Sequence, residues 1–323
     1  MSTAPDMLME FGGVPVGRKD YHFAGWWSDN DNGNVFFVDY DEGTTAATGK
    51  NNMAAPASSI QTAIDAAGTD ATIYVRPRAF ASGTYGEDPQ QITPTAAHAE
   101  NIHIDKAKKN MSLIGTGKGL GHAGAGKCWI GGYSGLTTAV IDVRAPGCVI
   151  ENFRAQPPSS AAQGIFYSKN AGGIWDGGNT TFINNDFHDP NTTGGIHLDS
   201  TWHMSIVGNR FVNGDVGIYV CALYSVPQIF QVWNNTFVAT GAEVATDFFA
   251  DGGLKRFLAY NNYHAHVLPD LSGSKKYYSF GAASTGAIMN CYFGEADTTD
   301  TNLFTLNGVV QSGNHSSLGL VVT

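Results

Sequence analysis

The chain has 323 residues, 42 % hydrophobic and 14 % charged, with a formal net charge of −10. That length supports one large domain or two ordinary ones without disulfide or metal staples. The acidic balance argues against a nucleic-acid binder, and the lack of a long apolar run argues against a membrane-spanning helix. The 40 glycines, with abundant Asn, Thr and Ser, are poor for long helices and good for turns, which excludes a coiled coil or helical bundle.

In chain order, the start MSTAPDMLMEFGG has neither the basic nor the apolar region of a secretory signal. The expectation is a protein that works inside a cell or leaves it by lysis, as a virus particle does. Residues 1–27 carry Gly12, Gly13, Pro15 and Gly17 without periodicity and read as an extended arm. Asn34–Tyr40 reads as a strand, followed by a turn-rich loop through Asn52. In PASSIQTAIDAAG, Ser58 or Ser59 can cap a helix, Ile60, Ala63 and Ile64 form its apolar face, and Gly68 stops it. Ala71–Pro77 and Asn110–Gly117 read as strands. Cys128, Cys148, Cys221 and Cys291 form no CxxC pair and are expected to be buried, reduced thiols.

From about Ala139 the chain repeats. Six segments, Val149–Phe153, Ile183–Phe187, Val207–Phe211, Trp233–Phe237, Ala259–Tyr263 and Ile288–Tyr292, align on their closing aromatic at spacings of 34, 24, 26, 26 and 29. Two positions earlier stand Glu151, Asn185, Asn209, Asn235, Asn261 and Asn290. Four positions earlier stand Val149, Ile183, Val207, Trp233, Ala259 and Ile288. A period near 24 with strand-like content fits a coil of short parallel strands, each turn stacking on the last at about 4.8 Å. Aromatics then stack on aromatics, Asn amides bond along a ladder, and Asn tolerates the left-handed bend between strands. Phe187, Phe211, Phe237 and Tyr263 are expected in one inward column, and Asn314 to lie outside the ladder, exposed. An antiparallel sandwich would not produce an Asn column in register.

A second column aligns Gly172–Asp176, Gly194–Asp199 and Val216–Cys221 on Ile174, Ile196 and Ile218, both spacings being 22. With the isoleucines inward, Trp175, His197 and Tyr219 face outward. Flanked by Asp176 and Asp199, they form either a glycan-binding patch or a subunit interface, and the interface is the preferred reading. Gln156–Gly164 is expected to protrude as a loop.

The run FFVDY, a Gly/Thr loop, SIQTAIDAAG, TIYVRP, SLIGTG and AVIDVRAPGCVIENF resembles right-handed parallel β-helix proteins of the pectate-lyase-like type, over about Val35 to Phe293. EFGGVPVG ahead of FFVDY resembles β-helix proteins of tailed phages. The resemblance implies an all-β, single-stranded right-handed β-helix over residues 28–293 with an N-terminal capping helix, an arm at 1–27 that attaches to the particle, and a C-terminal cap or tail at 294–323. It implies lyases, hydrolases and inert fibres alike.

The residues nominate no catalytic set, no metal and no cofactor. Asp186 and Arg210 share a rung slot and are expected to form a stacked ion pair. His188 and His203 read as surface turn residues. Ser28–Asn34 lacks the spacing of an EF-hand, and Gly115–Lys127 lacks the GK[ST] of a phosphate loop. The leading expectation is a non-catalytic virion protein, a capsid decoration or fibre, trimeric and bound to a capsid or tail protein through its arm. The alternatives are a tailspike-type enzyme that cleaves bacterial surface polysaccharide and a non-cleaving carbohydrate-binding adhesin.

Overall fold

The computed structural model describes residues 34–77, 100–117, 127–131, 139–156, 165–169, 176–188, 194–223, 225–239, 246–266, 276–294 and 304–316, with strand backbone at 9–11, 14–16 and 321–322. Three sheets form the body. The first has 10 strands, from Val35–Val38 through Trp202–Val207, Gln228–Trp233 and Lys255–Tyr260 to Val309–Ser312. The second has 8, from Ile102–Ile104 through Phe166–Lys169, Ile196–Asp199, Val216–Cys221 and Thr246–Asp251 to Lys276–Phe280 and Phe304–Thr305. The third has 9, including Cys128–Gly131, Phe153–Gln156, Asp186–His188, Arg210–Val212, Thr236–Ala239, Tyr263–His266, Tyr292–Phe293 and Asn314–Ser316. The chain visits the sheets in turn, as in Ile196–Asp199, Trp202–Val207 and Arg210–Val212, and each strand pairs in parallel with its equivalent one turn on. The fold is an all-β parallel β-solenoid with, among the described residues, one short helix. At its C-terminal end Val321–Val322 pairs antiparallel with Asn314–Ser316.

The bend from the first sheet to the third explains the doubled asparagines. Asn152, Asn184, Gly208, Asn234, Asn261, Asn290 and Gly313 all have positive φ there, a conformation that Asn and Gly adopt at least cost. The next residue turns inward. Asn185, Asn209, Asn235 and Asn262 are buried, and each side-chain oxygen accepts the backbone N–H of the ladder residue one turn back, at 2.9–3.0 Å.

This corrects the alignment at both ends. Phe153 stands in the Asn column, with Ala155 in the aromatic column. Asn262 takes the ladder place assigned to Asn261, and Cys291 the place assigned to Asn290. Asn314, expected to be exposed, is fully buried and accepts from Cys291 N–H at 2.9 Å. Phe187, Phe211 and Phe237 stack inward at 4.9 and 4.8 Å, but the next inward ring is His264. Tyr263 faces solvent and stacks on Tyr292. In AYNNY either Asn can close the bend, so aligning on the aromatic chooses the wrong one. The inward residues of the first sheet are likewise Ile150, Phe182, Ile206 and Val232, while Val149, Ile183, Val207 and Trp233 face outward, half-buried.

The helix runs Ile60–Ala66, and its Ile60, Ala63 and Ile64 join the same core as Phe36, Ile73 and Ile102. Ser59 is the N-cap and accepts from Thr62 N–H at 3.3 Å. Gly68 does not stop the helix through a left-handed bend. Ala67 leaves it in extended conformation, at φ −76° and ψ 150°. Glu100, from the segment before the first strand of the second sheet, accepts from Ile60 N–H at 2.8 Å and Gln61 N–H at 3.0 Å. Within the expected arm, Met9–Phe11 and Val14–Val16 pair as an antiparallel hairpin. Trp26 and Trp27 lie outside the described residues.

Candidate functional site

The outer face of the second sheet carries a column of rings. Register pairs Tyr167 with His197, His197 with Tyr219, and Tyr219 with Phe249. Ring centroids are 4.8, 4.8 and 5.5 Å apart. The parity argument placed His197 and Tyr219 correctly. Trp175 lies outside the described residues, and the rung position assigned to it is held by Tyr167, because Phe166 rather than Ile174 is the neighbour of Ile196. Asp176 stands in the turn of residues 176–179 instead of on the sheet.

Acids and a thiol flank the rings. Asp199 is fully buried, receives the Ser200 hydroxyl at 2.9 Å and the Tyr167 hydroxyl at 3.4 Å, and lies 4.0 Å from Lys169 Nζ. His197 Nε2 is 3.4 Å from Cys221 Sγ. The Tyr219 hydroxyl donates to Asp251 Oδ2 at 3.4 Å, and the Arg144 guanidinium sits 5.1 Å above the Tyr167 ring. Burial lowers His197 to about 4. Burial, with Asp199 adding to it, lifts the Cys221 thiol to about 12. Burial and then Cys221 and Asp251 lift the Tyr219 phenol to about 12. All three are neutral near pH 7, so these side chains can stack and hydrogen-bond. Tyr167, Phe249 and Arg144 escaped the sequence reading, and Cys221 entered it only as a buried thiol. FYSK aligned with IHLD carries the signal for Tyr167.

The outer face of the third sheet holds a charge cluster. Asp186 pairs in register with Arg210 as expected, at 4.0 Å, and also meets Arg154 Nε at 3.8 Å and His188 Nε2 at 3.3 Å. Arg154 is 1 % exposed and lies 3.9 Å over the Trp129 ring. Its pKa is lowered to about 10, by burial first, with Asp186 opposing. Burial alone would raise Asp186, but His188, Arg154 and Lys127 together hold it below the usual carboxylate range. His188, expected at the surface, is buried in this cluster. His203 is exposed, at φ 57°. All four cysteines are free and buried. Among the described residues, no three His, Cys, Asp or Glu side chains group to hold a metal ion.

No protein-family model matches the chain, and no curated protein matches it. Among solved structures, the chain is similar to the crystal structure of Escherichia coli YbhC, at 11 % identity over 87 % of this chain and 84 % of that one, with a TM-score of 0.40. It is also similar to the Streptococcus pneumoniae surface protein and adhesin PfbA, at 9 % identity over 76 % and 74 % of the two chains, with a TM-score of 0.37.

Proposed function

We propose that the chain is a non-catalytic structural β-helix of a tailed-phage particle, right-handed, with the Ile60–Ala66 helix capping its N-terminal end. In this reading it is a homotrimer, displayed outside the cell on the virion, and residues 1–27 hold it to a capsid or tail protein. The observation that carries the non-catalytic part is the state of the rung acids. Asp186 is shared among Arg154, Arg210 and His188, and Asp142 is held by both Arg144 Nε at 2.6 Å and Nη2 at 2.9 Å. Asp199 is closed in by Ser200, Tyr167 and Lys169. A glycosidase needs two carboxylates about 5–9.5 Å apart and free to face a sugar. Asp186 and Asp199 thus meet side chains of neighbouring rungs, and Asp142 is held within its own by Arg144.

The test has two arms. Purified chain is incubated with capsular and pectic polysaccharides, and new reducing ends and unsaturated uronate absorbance are measured. Turnover that falls on replacing Asp186, Asp199 or His197 establishes the tailspike-type enzyme instead. Imaging of intact particles with labelled chain then decides the virion location.

A second reading, a non-cleaving carbohydrate adhesin, has one observation in its favour. Tyr219 and Phe249 are half-buried rings beside the exposed Asp251, a combination that suits a sugar. Binding of a glycan array lost in Tyr219→Ala supports it.

A further inference from the structure

One rung of the core departs from its neighbours at two positions at once. The inward ring of the third sheet is Phe187, Phe211, Phe237, His264 and Phe293 in successive rungs, each stacked on the next at 4.8–4.9 Å. The second-sheet position that closes the corner beside these rings is Gly217 in one rung and Asp247 in the next. A Cβ on Gly217 would stand 2.8 Å from Phe237 Cε1, so the Phe237 rung leaves no room for a side chain at this corner. One turn on, ring and corner change together. His264 is fully buried, with Nδ1 2.6 Å from Asp247 Oδ2 and Nε2 3.2 Å from the Tyr278 hydroxyl, which also receives Asn262 Nδ2 at 3.3 Å.

The titratable groups that face His264 are Asp247 on Thr246–Asp251 and Tyr277 and Tyr278 on Lys276–Phe280, while Cys291, ahead of Tyr292–Phe293, meets Asn262 of the same network at 3.9 Å. Phe237 and Phe293 cover its two ring faces. Asp247 also lines a small recess at this corner with Asn213, Gly214 and Thr246. A buried ion pair is a weak source of stability compared with apolar packing, and the preceding rung closes the same corner with Gly and Phe. What the pair adds is a dependence on protons.

We propose that the Asp247–His264–Tyr278 chain is an acid-sensitive latch on the C-terminal rungs. Near neutrality the Asp247 carboxylate accepts Nδ1–H of His264. In acid the carboxylate takes up a proton while the imidazole stays cationic, and the imidazolium loses the negative charge it faced. The unfolded chain accepts that last proton more readily than the closed core does, so stability of this region falls as pH falls. Each rung of a solenoid touches only its neighbours, so the opening is local.

The experiment is amide hydrogen exchange on the full chain at about pH 7.5 and about pH 2.5, on either side of the ordinary carboxylate range, corrected for intrinsic exchange. The comparison protein is the double variant Asp247→Gly/His264→Phe, which copies the Gly217–Phe237 pairing. It retains His197, so acid effects elsewhere are common to both proteins. In the wild type, residues 246–251, 263–266 and 276–280 should lose protection in acid by at least about ten-fold, and the double variant should keep it. If the double variant is unfolded at about pH 7.5, Asp247→Asn replaces it, because it keeps an acceptor for Nδ1–H but cannot titrate. Equal protection of the wild type at the two pH values, or the same acid loss in the folded variant, overturns the proposal.

Discussion

Asn209 donates its side-chain amide to Phe182 O at 2.9 Å while its oxygen accepts from Asn185 N–H at 2.9 Å, and Asn235 repeats this one turn on with Ile206 O and Asn209 N–H. Replacing either by Ala strands a buried N–H and a buried C=O, and should cost about 1–3 kcal/mol in urea unfolding. Exposed Gln231→Ala should cost less than about 0.5 kcal/mol. These ladder residues were legible because the same residue type recurs at the same rung position. Asn262 and Asn314 were not. At AYNNY two asparagines compete for the bend, and near Asn314 no closing aromatic anchors the alignment. His197 carries a pH prediction. In the fold it is held down to about 4, whereas the unfolded chain binds the proton at about 6.5. The folded state is therefore favoured at neutral pH and loses up to about 3 kcal/mol as pH falls from about 6.5 towards 4. Urea midpoints of His197→Gln should show a flatter pH profile over that range than those of the wild type.

At the scale of elements, the helix is short, with 7 residues, and its first-turn donors are met largely from outside. Glu100 bonds Ile60 N–H, Gln61 N–H and the Ser59 hydroxyl, placing its negative charge at the positive end of the helix. Glu100→Ala should destabilise the protein by about 1–2 kcal/mol, more than Thr62→Ala, as read by thermal unfolding. The helix and its Ser59 cap could be read locally. Glu100 could not, since it lies 40 residues from Ile60 and only folding brings it there. Tyr167 differs, since FYSK aligns with IHLD locally, and it was missed because Gly172–Asp176 stood in the alignment for that rung in place of Phe166–Lys169. Gly217→Ala is expected to cost about 1–3 kcal/mol, because its Cβ would meet Asp247 O at 2.7 Å. The urea midpoint should fall while the slope is retained.

For the molecule as a whole, the period near 24 was sufficient to read a parallel coil, because only stacked turns let equivalent residues meet. The number of sheets per turn was not legible, since the repeat alignment followed a single bend. Exposed large apolar side chains remain on the sides of the coil, with Tyr263 at 47 % and Leu223 at 70 % exposure. A trimer with long axes side by side is the expected assembly. Mass measurement at micromolar concentration should give three chains, both for the full protein and after deletion of residues 1–17, while the deletion should abolish attachment to particles. A monomer would exclude the trimer, and retained attachment would exclude the arm.

The asparagine ladder has a sense of direction. From Phe153 N–H through Asn185, Asn209 and Asn235 to Asn262, every donor points to the acceptor on the following turn. Aligned bonds polarise one another, so each added turn strengthens those already laid down, as in a wire that conducts one way. The wire is cut at Cys291, whose thiol receives Asn262 Nδ2 only at 3.9 Å, and it starts afresh with Asn314. A growing coil therefore gains least in cooperativity on crossing from Asn262 to Cys291, and a mechanical pull along the axis should part the molecule there first.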